Sequence, residues 1–203
     1  VQSYMFSIKL KDETEFLHQY IYGPKFNFIF DHPIWLKNHL QHQLDSFCVL
    51  THDSDYVNFI KKYFKIDAVL FPPAGIEEPG IEQKKYDLTF VGTYNDYRSQ
   101  LSIIHQMNRS MRFFANHLLR VMRKHTSLSA EEAFNRTVEE RGVILTQEEY
   151  LNLFYEMRRV FYCVIHYYRE KILNIIINGG IKIDLFGDSW KESVFFSHPK
   201  VRC

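Results

Sequence analysis

Several polar clusters in this sequence stand directly after short apolar runs, where a side chain can meet a ligand and have its acidity tuned by burial. Asp31-His32 follows Phe26-Asn27-Phe28-Ile29-Phe30, and Thr51-His52-Asp53-Ser54-Asp55 follows Phe47-Cys48-Val49-Leu50. A carboxyl group beside an imidazole in that setting suits proton transfer, so Asp31 and His32 are the candidate bases and His52 and Asp53 candidate neighbours in the same cleft. Capping is the structural alternative. Asp31 can cap a helix that begins near Pro33, and Asp53 and Asp55 are equally good helix-starting residues. Phe71-Pro72-Pro73-Ala74-Gly75, after a third run, is mostly a turn signal.

A fourth cluster, Gly92-Thr93-Tyr94-Asn95-Asp96-Tyr97-Arg98, follows Leu88-Thr89-Phe90-Val91. Glycine at a strand end permits close backbone approach, a helix starting near Tyr97 offers free N–H groups, and Arg98 can grip a phosphate with two parallel bonds. This outlines a diphosphate cradle, although neither GxGxxG nor GxxxxGK[ST] is present. The alternative is a tight strand-to-helix turn with Arg98 on a solvated face. Phe186-Gly187-Asp188-Ser189-Trp190 closes a further strand, which places Gly187 and Trp190 beside that cradle or, for Trp190, simply in the core.

The elements that must position these clusters follow from periodicity. A helix is expected over 11–22, then strands at 26–30, 47–50 and 68–71, separated by helices over 35–44 and 56–64. Strand, helix, strand with short connections predicts a parallel α/β sheet, in which ligands bind beyond the carboxyl ends of the strands. Residues 74–85, rich in Gly, Pro, Glu and Lys, read as a connector, dividing the chain into 1–80 and 81–203. The second half predicts a strand at 88–91, helices over 97–128, 130–140 and 147–177, and a strand at 181–186. The first of those helices carries a basic face of Arg109, Arg112, Arg120, Arg123 and Lys124, either solvated or turned to an acidic partner.

Composition limits the remaining choices. With 25 basic and 24 acidic residues the net charge is +1, so no whole-protein field gathers nucleic acid. Aromatic residues reach 16%, enough for bulky core filling and for ring surfaces that a planar or sugar ligand would use. Cys48, Cys163 and Cys203 are far apart, and no two of His105, His117, His125 and His166 stand at metal-ligand spacing, so neither disulfides nor a metal is expected. No run suits a signal peptide or a membrane span, which points to a cytoplasmic setting. With Val at position 1 and no closing element after Pro199, the chain reads as cut at both ends.

The stretches FIFDHPIW, VLTHDSDYVNFIKKYF, FPPAGIE, KYDLTFVGTYNDYR and IDLFGDSW, in this order, resemble bacterial glycosyltransferases of the spore-maturation type, which have the GT-B architecture. The resemblance covers Phe28 to Arg98 and, less closely, Gly180 to Val201. It implies an α/β protein of two Rossmann-like halves, both incomplete here, with a long helical segment in the second. The first would meet an acceptor and the second would hold a nucleotide-sugar donor such as a UDP-sugar, without cofactor or obligatory metal. Asp31 and His32 would supply the base, Gly92, Thr93, Arg98 and Gly187 would border the donor diphosphate, and His52, Asp53 and Trp190 would line the cleft. The later strands that hold ribose and base in such enzymes are not found here, so these 203 residues are expected to show no transfer by themselves. A non-catalytic nucleotide- or sugar-binding module is the other reading.

Overall fold

The computed structural model describes residues 8–10, 15–41, 44–75, 80 and 85–203. The protein is α/β, with two parallel three-stranded sheets. The described residues form two compact units, one within 1–77 and 145–155, the other within 78–144 and 156–203. The division is therefore not the linear one expected at residue 80: a segment far along the chain belongs with the first sheet.

In the first unit β1 (Lys25–Ile29), β2 (Phe47–Thr51) and β3 (Asp67–Leu70) pair in sequential order, with Asn27, Val49 and Ala68 in register. Period-two alternation sends Ile29, Phe47, Val49 and Ala68 to one face, where they pack with Leu40 and Ile60. The other face carries Phe26, Phe28, Phe30 and Phe71 and is partly exposed. The helix expected over 35–44 is shorter, and that over 56–64 starts earlier and is not uniformly α-helical. A 3₁₀ turn at Pro33–Leu36 runs into α1 (Lys37–Leu40), and α2 (Ser54–Phe59) widens into a π turn at Ile60–Phe64 that Lys65 ends in a left-handed conformation. The helix expected over 11–22 is replaced, in its described part, by an antiparallel bridge of Phe16 to Lys9 and a 3₁₀ turn at Leu17–Tyr20; residues 11–14 lie outside the described residues. The extended Phe16 backbone is what prevents the helix from continuing back through it. Most of the expected connector, 76–79 and 81–84, also lies outside them.

In the second unit β4 (Thr89–Val91), β5 (Ile183–Phe186) and β6 (Val201–Arg202) again pair in sequential order. The sheet core joins Ile183 and Leu185 to Trp190, Phe195 and, from α7 (Arg158–Asn178), Leu173 and Ile177. The helix expected over 97–128 is two, α3 (Tyr97–Gln106) and α4 (Arg109–Lys124), because the Asn108 side chain accepts from Met111 N–H and starts a new helix. On α4, Phe114, Ala115, Leu118 and Val121 form the buried stripe. Next comes α5 (Ala130–Glu140), opened by a Ser129–Glu132 capping box.

The expected helix 147–177 is likewise two, α6 (Gln147–Glu156) and α7, and α6 packs in the first unit. Tyr150 stacks on Tyr63 with centroids 4.9 Å apart, and fully buried Phe154 meets the rings of Phe59 and His32 at 5.6 and 5.5 Å. Truncating so enclosed a ring removes its transfer energy and leaves a cavity, so Phe154→Ala should destabilise the first unit by about 3–5 kcal/mol in urea unfolding.

Candidate functional site

The carboxyl ends of β1 and β2 bring together the residues that the sequence singled out in the first unit. His32 is half-buried and surrounded by rings, its centroid 5.1 Å from Tyr56, 4.8 Å from Phe59 and 5.5 Å from Phe154. Its Nδ1 accepts from Ile34 N–H at 3.1 Å, so His32, not Asp31, caps the turn begun by Pro33. Burial pushes its pKa down to about 4, against a smaller opposing pull from Asp53. Neutral, with Nδ1 occupied, this imidazole is a weak base near neutral pH and serves chiefly as a cap packed into an aromatic box. Asp31 stays exposed beside it.

Asp53 Oδ1 accepts from Asp55 N–H at 2.7 Å and so caps α2, leaving Asp55 inside the first turn instead of at the cap expected for it. His52 is exposed and lies edge-on to Tyr56 at 5.9 Å and tilted to Phe30 at 5.7 Å. Burial, followed by the charges of Asp53, Asp31 and Asp55, raises the pKa of the Tyr56 hydroxyl. Tyr56, which the sequence offered only as an apolar helix position, is thus the residue around which the polar groups of this tip gather.

The second unit has its own strand-end cluster, built on close contact of two glycines. Gly187 has φ +141°, and a Cβ placed there would lie 2.3 Å from the Gly92 carbonyl oxygen. That oxygen accepts from Trp190 Nε1–H at 2.7 Å, while Gly92 N–H donates to the Phe186 carbonyl at 3.0 Å and Tyr94 N–H to Ser189 Oγ at 2.7 Å. Trp190 is completely buried, so it lines no cleft; the expectation that it would is corrected by its place under the turn, its ring edge-on to Phe90. The Thr93 carbonyl accepts from Arg169 Nη1 at 2.8 Å.

Arg98 lies at the start of α3, as expected, but its guanidinium is engaged by carboxylates of the protein itself. Glu170 on α7 binds it with two bonds of 3.0 and 3.2 Å, and Asp96 Oδ1 lies 2.9 Å away. Asp96 Oδ1 also accepts from Arg98 N–H at 3.0 Å, capping the helix at the point where a phosphate would be held. These hydrogen bonds, Glu170 first and then Asp96, raise the Arg98 pKa further. Glu170, Arg169 and Ser189 escaped the sequence reading because nothing in a helical run marks which residue will reach a strand end across the fold.

Among the described residues no three His, Cys, Asp or Glu side chains converge to hold a metal ion, and no helix is long and apolar enough to cross a membrane. Comparison of the chain with family models, with curated proteins and with solved structures finds no match.

Two measurements check these assignments. An imidazole with a pKa near 4 when folded and 6.5 when unfolded gains its proton on unfolding between those values, so stability should fall as pH is lowered through that window. His166, also depressed by burial, adds to the slope. His32→Asn keeps a capping oxygen and removes one titration, and the pH dependence of the urea midpoint should flatten accordingly; an unchanged slope would show that His32 titrates normally. Gly187→Ala should cost about 2–4 kcal/mol, from the forbidden φ and the collision with Gly92. Trp190 fluorescence in a Trp35→Phe background reads this, Trp35 and Trp190 being the two tryptophans.

Proposed function

We propose that this chain is part of a GT-B-type glycosyltransferase resembling the bacterial spore-maturation enzymes, with its first unit on the acceptor side and its second, Rossmann-like, on the donor side. The observation that carries this reading is the strand-end placement of the candidate residues. Asp31, His52 and Asp53 cluster at the ends of β1 and β2, and Gly92, Thr93, Arg98 and Gly187 at the ends of β4 and β5, where parallel α/β sheets bind ligands. The close contact of the two glycines fixes the turn, and Arg98 supplies the cation for a departing nucleoside diphosphate.

The chemistry asked of these residues is transfer of a sugar from a nucleotide sugar, UDP-linked in the first instance, to an acceptor hydroxyl. The acceptor oxygen attacks the anomeric carbon, the bond to the diphosphate breaks, and the acceptor proton passes to a base. His32, capped and depressed, is poorly suited to that role, which shifts it to the exposed Asp31 beside it. Diphosphate binding at Arg98 exchanges the Glu170 contact for a phosphate contact of the same bidentate geometry. The same occupied guanidinium favours a second reading, a sugar- or nucleotide-binding module without transfer, in which the Arg98–Glu170 pair is permanent.

Thermal shift tests whether Arg98 forms the donor site. Under the transferase reading, a UDP-sugar at a hundredfold excess over its Kd should raise Tm by about 5 °C or more. Arg98→Gln should reduce the rise and Glu170→Gln should enlarge it. A flat response to every nucleotide sugar would sink the donor-site assignment, and a rise indifferent to both substitutions would place the ligand elsewhere.

A further inference from the structure

Between Asp96 and Glu131 the sequence contains no carboxylate, yet it contains Arg98, Arg109, Arg112, Arg120, Arg123 and Lys124. Two of these are taken up locally: Arg98 by Glu170, and Arg112 by the carbonyl of His105. Arg120, Arg123 and Lys124 stand at i, i+3 and i+4 on α4 and so share a face. Across from them α7 contributes Lys171, Tyr167 and Tyr168, and together they line an open cleft of about 530 Å³ within the second unit. Among the described residues none of these four cations has a carboxylate within ion-pair distance.

The cleft is organised as well as charged. The Arg123 guanidinium lies over the Tyr167 ring, 4.9 Å from its centroid, and the Lys171 ammonium lies 6.0 Å from that of Tyr168. The Tyr168 hydroxyl donates to the Arg123 carbonyl at 3.3 Å, tying the two helices together at the cleft. Tyr167 is fixed in turn, edge-on to Tyr97 at 5.4 Å and to Tyr168 at 5.2 Å. Both tyrosines are half-buried, whereas the cationic tips are exposed. A smaller cavity of about 160 Å³, lined by Leu101, Leu119 and Val164, adjoins the cleft and shares Arg123 and Tyr167 with it.

We propose that this cleft binds a small phosphorylated molecule: a diphosphate or phosphomonoester held by Arg120, Arg123, Lys124 and Lys171, whose organic body rests on the tyrosines. Four unpaired positive charges around one cleft repel one another, in a chain whose net charge is only +1, and a multiply charged anion removes that repulsion. Arginine presents the fork that phosphate oxygens match, and Arg123 is already held in place by Tyr167. The volume is that of a small-molecule site. Nucleic acid would need a basic track along the surface, whereas these cations converge on one cleft. The site is separate in its residues from the β4–α3 turn, so it stands or falls independently of the proposed donor site.

Isothermal titration calorimetry on the full chain at low ionic strength, with pyrophosphate, UDP and a short single-stranded RNA as probes, tests this. Pyrophosphate and UDP should each fill this site in the wild-type chain and in Arg98→Gln. In the Arg98→Gln chain, where the proposed donor site is disabled, adding Arg120→Gln/Lys171→Gln should weaken both about tenfold or more. These residues are exposed and glutamine keeps helix propensity, so circular dichroism should show the variant folded. Pyrophosphate binding without UDP binding would still place the phosphate in the cleft but overturn the organic body resting on the tyrosines. Absence of binding by either small ligand, binding of RNA only, or affinity lost in Arg98→Gln or unchanged by the two added substitutions would overturn the proposal.

Discussion

A three-stranded sheet with only short helical turns between its strands cannot enclose its own aromatic residues, and the first unit solves this with a helix from elsewhere in the chain. Phe154 fills the space between Phe59 and His32, Tyr150 stacks on Tyr63, and Gln147 Nε2 donates to the Tyr63 carbonyl. Lys37 and Asn152, hydrogen-bonded across 115 residues of sequence, tie α1 to the same helix, with the Lys37 ammonium 5.5 Å from the Tyr155 ring. What α6 covers decides the chemistry beneath it. The low proton affinity of His32 is a consequence of the rings around it, one of which α6 supplies.

The second unit depends on a different economy, one of backbone contact. Without a side chain at Gly187, the turn after β5 can press against the Gly92 carbonyl and let the Trp190 indole reach it. The result is a rigid strand-end platform whose N–H groups at Gly92 and Tyr94 are spent internally. Arg98 sits at its edge, bound to two carboxylates. A ligand anion there competes with groups already in place, which makes the pairing of Arg98 with Glu170 the natural point of control for any binding at this turn.

Charge is distributed unevenly on this unit. Glu140 pairs with Arg136 and Asp184 with Arg202, so these two arginines are neutralised where they stand. The cluster on α4 and α7 is not. Its aromatic floor and the absence, among the described residues, of a carboxylate within ion-pair distance set it apart from a basic helix face that merely meets solvent.

Local chemistry in the sequence was enough to locate the strands near 26–30, 47–50, 68–71, 88–91 and 181–186, the helix at 130–140 and the candidate clusters at their ends. Each rests on short-range rules: apolar alternation, helical periodicity, and glycine and proline stops. Beyond that range local pattern fails for physical reasons. Two-residue β6 carries too little pattern to be seen, and the breaks at Asn108 and Met157 interrupt helices without changing their apolar periodicity. Which side chain holds which carboxylate, that His32 and not Asp31 is the cap, and that a helix beginning at Gln147 belongs with a sheet ending at Leu70 are all long-range facts. Tertiary structure alone decided them, because such contacts are selected by packing between segments whose own sequences carry no record of their partner.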